Sequence, residues 1–239
     1  MRAALLAFAC LLLPIAASAQ PGPGDFPKPD RPVAEIISPH WASEAERDRA
    51  DEVGQVARLL GVEPGMTVAD IGAGSGYYTV RLARQVGPTG RILAEDVTPD
   101  YLQMLRQRIV NGGLGNVEVI AGEPDDAKLP AASVDAAILI HMYHEITQPF
   151  GLLSRLAVAM KPGGRVGIVD LDDIPSRHGT PPKLLRCELA AVGYRETGFH
   201  KLKGGVGYLA IFEAPARSAL PAPGAVRPCA DERTRGRSR

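Results

Sequence analysis

The stretch that decides the fold is Val68-Ala69-Asp70-Ile71-Gly72-Ala73-Gly74-Ser75-Gly76, in which a short apolar run leads into three alternating glycines. The run predicts a buried β-strand, and the glycines let the backbone turn sharply and come close to a ligand. A helix predicted from residue 76 presents free N–H groups and the positive end of its dipole. Doubly wound α/β sheets bind ligands where the strand order reverses, at the carboxyl end of the first strand. The stretch therefore predicts an α/β fold with a ligand site at this turn.

Outward from this turn, short β-rich runs alternate with helical patterns. The predicted strands lie near residues 66–71, 91–96, 117–121, 134–140 and 164–170, and the predicted helices at 76–86, 99–111, 148–160 and 181–192. This alternation is typical of βαβ units around a parallel sheet. The nearly unbroken apolar runs 134–140 and 165–170 favour central strands that are covered on both faces.

The two ends of the predicted domain have their own signals. Ser43 followed by Glu46 is a capping box, and it predicts an N-terminal helix that runs until Gly61. At the other end, residues 194–203 and 206–213 are β-type runs joined by two glycines, which predicts an antiparallel hairpin.

The first nineteen residues are typical of a secretory signal peptide. Arg2 precedes an apolar run over residues 3–17, and Ala17-Ser18-Ala19 offers a cleavage site. The run is shorter than the roughly 18 to 20 residues of a membrane span, so no stable span is expected after cleavage. The sequence therefore predicts export to the periplasm or the medium.

Composition divides the rest of the chain. Residues 20–42 predict a Pro/Gly-rich linker, residues 43–213 one domain, and residues 214–239 a disordered basic tail. Apart from that tail the mature chain is acidic, which argues against a nucleic-acid partner. Cys187 and Cys229 remain after signal removal, one in a predicted helix and one in the tail, so no disulfide is predicted.

An acidic residue at the end of the second predicted strand fits a cofactor ribose. Asp96 lies about 20 residues after the glycine turn, where a carboxylate accepts hydrogen bonds from the two ribose hydroxyls. Taking Thr98-Pro99 as the start of the next helix favours Asp96 over Glu95 for this contact.

Three motifs resemble those of the class I methyltransferases that use S-adenosyl-L-methionine (SAM): residues 68–79, residues 90–102 and the Lys161–Gly164 turn. A nicotinamide-binding loop would instead have a third glycine at Tyr77. The resemblance implies a doubly wound, mostly parallel seven-stranded sheet with helices on both faces and a C-terminal antiparallel hairpin. It also implies SAM as cofactor. The cofactor residues it implies are Asp70, Gly72, Ala73, Gly74, Gly76, Asp96 and Glu123.

The adenine contact departs from the family pattern. The family usually has Gly-Asp-Ala after the third strand, whereas this chain has Gly122-Glu123-Pro124-Asp125-Asp126. Pro124 has no N–H to offer the ring. The contact is therefore left open between Glu123, Asp125 and Asp126, with Glu123 preferred.

The acceptor side is expected after the fourth strand, where the chain reads Ile140-His141-Met142-Tyr143-His144-Glu145. Methyl transfer is an in-line displacement that often needs a base, and histidine titrates near neutral pH. The candidate catalytic residues are His141, Tyr143, His144 and Glu145, with His144 as the preferred base. The alternative is that they only bond locally and cover the cofactor.

The remaining predictions concern a metal site and the identity of the methyl acceptor. The acids Asp170, Asp172 and Asp173 follow one another along the fifth strand and its end, so their side chains alternate and no metal site is predicted. A small-molecule acceptor is favoured. The alternatives are a protein carboxyl O-methyltransferase, because residues 74–77 and 86–91 also resemble isoaspartyl methyltransferases, and a non-catalytic SAM or nucleoside binder. The oligomeric state stays open, and export conflicts with the cytosolic supply of SAM.

Overall fold

The computed structural model describes residues 24–37 and 43–231, so the predicted signal peptide lies outside the described residues. Within them there are seven strands and six α-helices. The strands are β1 Thr67–Ile71, β2 Arg91–Asp96, β3 Val117–Ala121, β4 Val134–Ile140, β5 Met160–Asp170, β6 Arg195–Lys201 and β7 Tyr208–Glu213. The helices are α1 Glu44–Arg49, α2 Glu52–Leu60, α3 Tyr77–Val86, α4 Pro99–Gly112, α5 Pro149–Ala159 and α6 Pro182–Ala191. None of the described helices is long and apolar enough to cross a bilayer.

The strands form one sheet in the order β3-β2-β1-β4-β5-β7-β6. All neighbours from β3 to β5 are parallel, and β7 is antiparallel to both β5 and β6. The predicted fold class and terminal hairpin are confirmed. Strand order reverses between β1 and β4, which places the glycine turn at the position where such sheets bind ligands.

Both faces of the central strands are buried, which explains their nearly continuous apolar sequence. On β4, Leu139 packs into a core on one side of the sheet with Phe150 of α5. Its neighbour Ile138 packs into the core on the other side with Leu60 of α2. Successive side chains of a strand point to opposite faces, so one strand serves both cores.

The predicted N-terminal helix is two helices in the structure. The capping box is present, since Ser43 and Glu46 exchange hydrogen bonds at the start of α1. The chain then turns at Asp51, which has a left-handed φ of 51°, before α2 begins. This turn brings Arg47 of α1 onto the carboxylate of Glu52, with bonds of 2.7 and 2.8 Å.

The segment predicted as a Pro/Gly-rich linker packs onto the domain in its described part, residues 24–37. Phe26 is buried in the core, and Arg31 forms an ion pair of 2.9 Å with Glu188 of α6, both side chains being fully buried. This proline- and glycine-rich segment has no regular secondary structure, but its few large side chains are buried against the domain.

The segment after β7 also departs from the prediction. Cys229 forms a disulfide with Cys187 of α6, and Val226 is 3% exposed. The expectation of no disulfide is therefore corrected, as is the expectation of disorder for residues 214–231. Composition alone does not reveal a covalent link between a helix and a distant segment. Residues 232–239 lie outside the described part.

Candidate active site

The glycine turn after β1 uses left-handed backbone at Gly72, Gly74 and Gly76, with φ values of 65°, 56° and 90°. A Cβ atom on Gly72 would lie 2.8 Å from Met142, and one on Gly76 would lie 2.5 Å from Leu105. A Cβ atom on Gly74 would have nothing within 4 Å. Gly72 and Gly76 therefore allow close packing, whereas Gly74 turns its free side toward open space.

That open space belongs to a cavity of about 260 Å³ at the carboxyl ends of β1, β2 and β4. Eight of the residues predicted from the sequence line it: Asp70, Gly72, Ala73, Gly74, Asp96, Glu123, His141 and Glu145. The other three, Gly76, Tyr143 and His144, are not among the described residues of its wall. The cofactor and acceptor sides of the prediction therefore meet in one cavity.

Asp96 fixes the glycine turn and keeps capacity for a ligand. Its two carboxylate oxygens accept hydrogen bonds from the backbone N–H groups of Gly74 and Thr98, each at 2.8 Å. A carboxylate accepts about four hydrogen bonds, so about two positions remain for a pair of hydroxyl groups. Glu95 instead folds under the turn, where its carboxylate accepts a bond of 3.4 Å from Gly72 and fills the space left by Gly122.

The cavity wall is acidic and mostly buried. Burial, with the nearby charge of Asp96, raises the pKa of Asp70 to about 7, although a bond of 2.6 Å from Thr79 opposes the shift. Burial also raises the pKa of Glu95 to about 8. A positively charged ligand would stabilise the ionised forms of these acids. SAM, with its sulfonium and ammonium groups, fits such a wall.

The three acids considered for the adenine contact lie in different places. Glu123 is in the cavity wall, and its carboxylate pairs with Lys128 at 3.1 Å. Asp125 is buried away from the cavity against Arg155 at 2.8 Å, and Asp126 lies 3.3 Å from Lys128. The placement favours Glu123, as the sequence did, while its role stays a prediction.

On the acceptor side, His141 is the histidine that lines the cavity. It has a left-handed φ of 53°, an uncommon conformation for a residue other than glycine that is often found at functional sites. Its Nε2 atom lies 3.6 Å from the carboxylate of Glu52. Burial alone would raise the pKa of Glu52, but hydrogen bonds from Arg47 and the nearby imidazole of His141 lower it to about 2. Glu52 is therefore an anion beside the imidazole.

His144, the preferred base, lies elsewhere. It is 2% exposed, its Nδ1 atom lies 3.0 Å from Asp170, and its ring is outside the cavity wall. Tyr143 is fully buried beneath the guanidinium of Arg31. Both belong to a single 3₁₀ turn, which directs its first two side chains into the protein and leaves Glu145 at the cavity. The structure therefore does not support His144 as a base acting in this cavity.

Comparison with known proteins agrees with this arrangement. Residues 68–164 match a family model described as "Methyltransferase domain". The ubiquinone/menaquinone biosynthesis C-methyltransferase of Ectopseudomonas mendocina is 30% identical over 124 residues, 52% of this chain and 47% of that protein. Its counterpart from Salmonella arizonae is 30% identical over 111 residues, 46% of this chain and 44% of that protein. Residues 68–164 are therefore similar to a methyltransferase domain. The chain spans about half the length of these curated relatives.

Solved structures share the fold of this chain. A SAM-dependent methyltransferase from Aquifex aeolicus aligns with a TM-score of 0.62 at 23% identity, covering 72% of this chain and 97% of that one. The [4+2]-cyclase SpnF aligns with a TM-score of 0.59 at 18% identity, covering 74% and 67%. A "possible exported protein" from Bordetella parapertussis aligns with a TM-score of 0.56 at 16% identity, covering 71% and 68%. At these identities the likeness concerns the fold alone.

The cavity wall also includes residues that were not predicted from the sequence. Arg47 lines the cavity with its guanidinium 3.9 Å from the centre of the Tyr77 ring, and Tyr78 donates to Glu52 at 3.0 Å. Charged residues at the start of a helix usually face solvent, so Arg47 and Glu52 gave no signal. The two tyrosines directly after Gly76 were a usable signal, because the start of this helix faces the ligand.

Proposed function

We propose that this protein transfers the methyl group of SAM to an apolar small molecule. The observation that carries the proposal is that the glycine turn, Asp96 and His141 line the same cavity. The match of residues 68–164 to a methyltransferase domain supports SAM as the cofactor that binds in this cavity.

Each cofactor residue has a role that its position supports. Asp96 accepts the ribose hydroxyls, since two of its hydrogen-bonding positions remain after Gly74 and Thr98. Glu123 faces the adenine, and Asp70 together with the glycine turn holds the methionine part. SAM, once bound, supplies a methyl group on a positively charged sulfur.

The reaction needs a nucleophile aligned with the methyl–sulfur bond. An electron pair of the acceptor, either a lone pair or the π pair of an electron-rich ring carbon, forms a bond to the methyl carbon, and the carbon–sulfur bond breaks with its electron pair staying on sulfur. The products are the methylated acceptor and S-adenosylhomocysteine. The proton of the acceptor passes to His141, whose protonated imidazole is stabilised by the anionic Glu52 at 3.6 Å.

The apolar part of the cavity supports a small apolar acceptor. Ile36 and Ile37 from the N-terminal segment and Ile146 from the turn after β4 line it. The ubiquinone/menaquinone biosynthesis C-methyltransferases, 30% identical over half of the chain, make a carbon acceptor on an aromatic or quinone-like ring the first candidate. A protein acceptor, which would enter with a single side chain, stays the alternative.

We also propose that the protein is exported. The N-terminal signal pattern supports this, and so does the Cys187–Cys229 disulfide, because such bonds persist in oxidising compartments. Export removes the domain from the cytosolic supply of SAM. Mass spectrometry of the mature N-terminus in fractionated cells tests the location: a chain beginning at Gln20 outside the cytosol supports export, and an uncleaved cytosolic chain contradicts it.

The activity is tested with methyl-labelled SAM and a panel of phenols, quinols, catechols, thiols, amines and carboxylates. We expect S-adenosylhomocysteine and label in one class of acceptor. His141→Asn should lower turnover about 10²- to 10⁴-fold while SAM binding stays intact, because asparagine tolerates left-handed backbone but cannot accept the proton. His200→Asn, on β6 outside the cavity, is the matched control. SAM binding without turnover of any acceptor in the panel would contradict the proposed methyltransferase activity and support a non-catalytic SAM-binding protein.

A further inference from the structure

Three metal-ligating side chains meet where the loops after β4 and β5 lie side by side. His144, Glu145 and His178 each offer one ligand atom, and these atoms all lie within 4.8 Å of one another. The Nε2 atom of His144 is 3.9 Å from a carboxylate oxygen of Glu145. The rings of the two histidines are 5.4 Å apart and nearly perpendicular. The cluster is shielded from bulk water, since the side chains of His144 and Glu145 are 3% and 10% exposed.

His178 carries a polar atom that calls for an explanation. Its Nδ1 atom is buried and has no hydrogen-bond partner within residues 24–37 and 43–231. Unpaired polar atoms in the interior are costly, and a missing ion is one of the few usual reasons for them. His178 also has left-handed backbone, with a φ of 54° and a ψ of 51°, which such surroundings must hold in place.

Asp170 prepares His144 for metal binding. The carboxylate of Asp170 accepts from Nδ1 of His144 at 3.0 and 3.1 Å. It is held in turn by the hydroxyl of Thr180 at 2.7 Å and the backbone N–H of Leu171 at 2.8 Å. Placing the proton on Nδ1 leaves the lone pair of Nε2 free on the side of Glu145. Histidines that bind metals very often have such a carboxylate behind them.

We propose that His144, Glu145 and His178 bind one divalent transition-metal ion, with Zn²⁺ as the first candidate. Two imidazoles and one carboxylate are a common zinc ligand set that leaves a fourth position open. Binding requires the separations, at most 4.8 Å, to close to the roughly 3.3 Å between ligands of a tetrahedral zinc ion. Only a long hydrogen bond of 3.3 Å from the backbone N–H of Ile37 would have to be given up for the carboxylate of Glu145 to shift toward the histidines.

The site differs from the metal site that the sequence analysis considered and rejected. Asp170 acts here behind a ligand, and the ligands themselves come from two loops. Since Glu145 also lines the cavity, the ion would lie in the cavity wall. Its open position is then available to an oxygen atom of the acceptor, a consequence that rests on the proposed function.

The test uses the full mature chain without an affinity tag, from which metal is removed with a chelator followed by dialysis. The protein is then titrated with Zn²⁺ in the presence of a competing chelator. A separate titration with Co²⁺ is followed by visible absorption. We expect one equivalent of metal and Co²⁺ bands of a low-coordinate site. His178→Ala and Glu145→Gln should each weaken Zn²⁺ binding about 100-fold or more, and Asp170→Asn about 10- to 100-fold. His200→Ala should bind as the wild type does.

Wild-type protein that binds less than one equivalent, or variants His178→Ala and Glu145→Gln that both bind like the wild type, would overturn the proposal. Circular dichroism verifies that each variant is folded, and Glu145→Gln keeps the shape of the side chain if His178→Ala fails to fold. SAM binding is measured on the same samples. Wild-type protein that binds SAM but no metal refutes this proposal alone, whereas wild-type protein that binds metal but no SAM refutes the proposed function alone.

Discussion

At the scale of single residues, the acids of the cavity wall oppose the stability of the ligand-free protein. Burial raises the pKa of Glu95 to about 8 from its usual 4.5, so the folded state holds this proton more tightly than the unfolded chain does. The contribution of Glu95 to stability is therefore complete below about pH 4.5 and is lost as the pH rises through 8.

Replacing Glu95 by glutamine should remove this loss. We expect Glu95→Gln to unfold at about the same temperature as the wild type at pH 5 and at least about 3 °C higher at pH 8.5, because the variant buries no charge. Thermal unfolding by circular dichroism without ligand measures this. Glu63→Gln, on the exposed turn before β1, is the control and should show no such pH-dependent difference. An equal difference at both pH values would contradict the buried charge.

The sequence predicted the positions of some site residues and not of others. Asp96 was predicted from its position at a strand end and Glu123 from the family resemblance, and both line the cavity. The carboxyl ends of parallel strands lie at the same edge of the sheet, so the position of a residue at such an end predicts that it lies near the ligand site. His144 was predicted to face the substrate but does not line the described cavity, because the 3₁₀ turn after β4 directs it inward, and the sequence does not reveal which side chain of the turn points inward.

At the scale of elements, the glycine turn separates packing from binding. Gly76 is required by the close approach of Leu105 from α4, while Gly74 faces the cavity with nothing near its missing side chain. The same distinction could not be made from the sequence, because alternating glycines look alike until their neighbours are known. The strands and helices themselves were predicted within a few residues, because their apolar periodicity is strong.

Gly74→Ala should weaken SAM binding more than it affects folding. The added methyl group enters the cavity at the turn, and left-handed backbone costs a non-glycine residue about 1–2 kcal/mol. Gly113→Ala is the matched control, since Gly113 has a φ of 61° and no atom within 4 Å of an added Cβ, but caps α4 outside the cavity. We expect similar losses of stability from urea unfolding and a loss of SAM affinity in Gly74→Ala alone. Equal SAM affinities would contradict the assignment.

At the scale of the whole molecule, α6 anchors both outer segments of the chain. Arg31 reaches Glu188 from the N-terminal side, and Cys229 reaches the adjacent Cys187 from the C-terminal side. The N-terminal segment continues to Ile36 and Ile37 in the cavity wall, so its attachment also shapes the site. Composition predicted neither contact, because it describes how a segment behaves alone and not which partner it meets.

The disulfide should account for a large part of the stability. It closes a sequence separation of 42 residues, and the chain-entropy model gives about 4 kcal/mol for a loop of that length. We expect the double variant Cys187→Ser, Cys229→Ser to lose about that free energy of unfolding in urea. Reductant should destabilise the wild type similarly and leave the double variant unaffected. A double variant as stable as the oxidised wild type would show that the segment after β7 is held without the bond.

The central claim is that SAM binds between the glycine turn and Asp96. Isothermal titration of SAM into the wild type and Asp96→Asn tests this claim most directly. The control is Asp100→Asn, on the exposed start of α4. We predict that the wild type and Asp100→Asn bind one SAM with equal affinity. Asp96→Asn should bind about 10- to 150-fold more weakly, since one charge-assisted hydrogen bond contributes about 1.5–3 kcal/mol. A folded Asp96→Asn variant with wild-type affinity, or a wild type that binds no SAM, would contradict the claim.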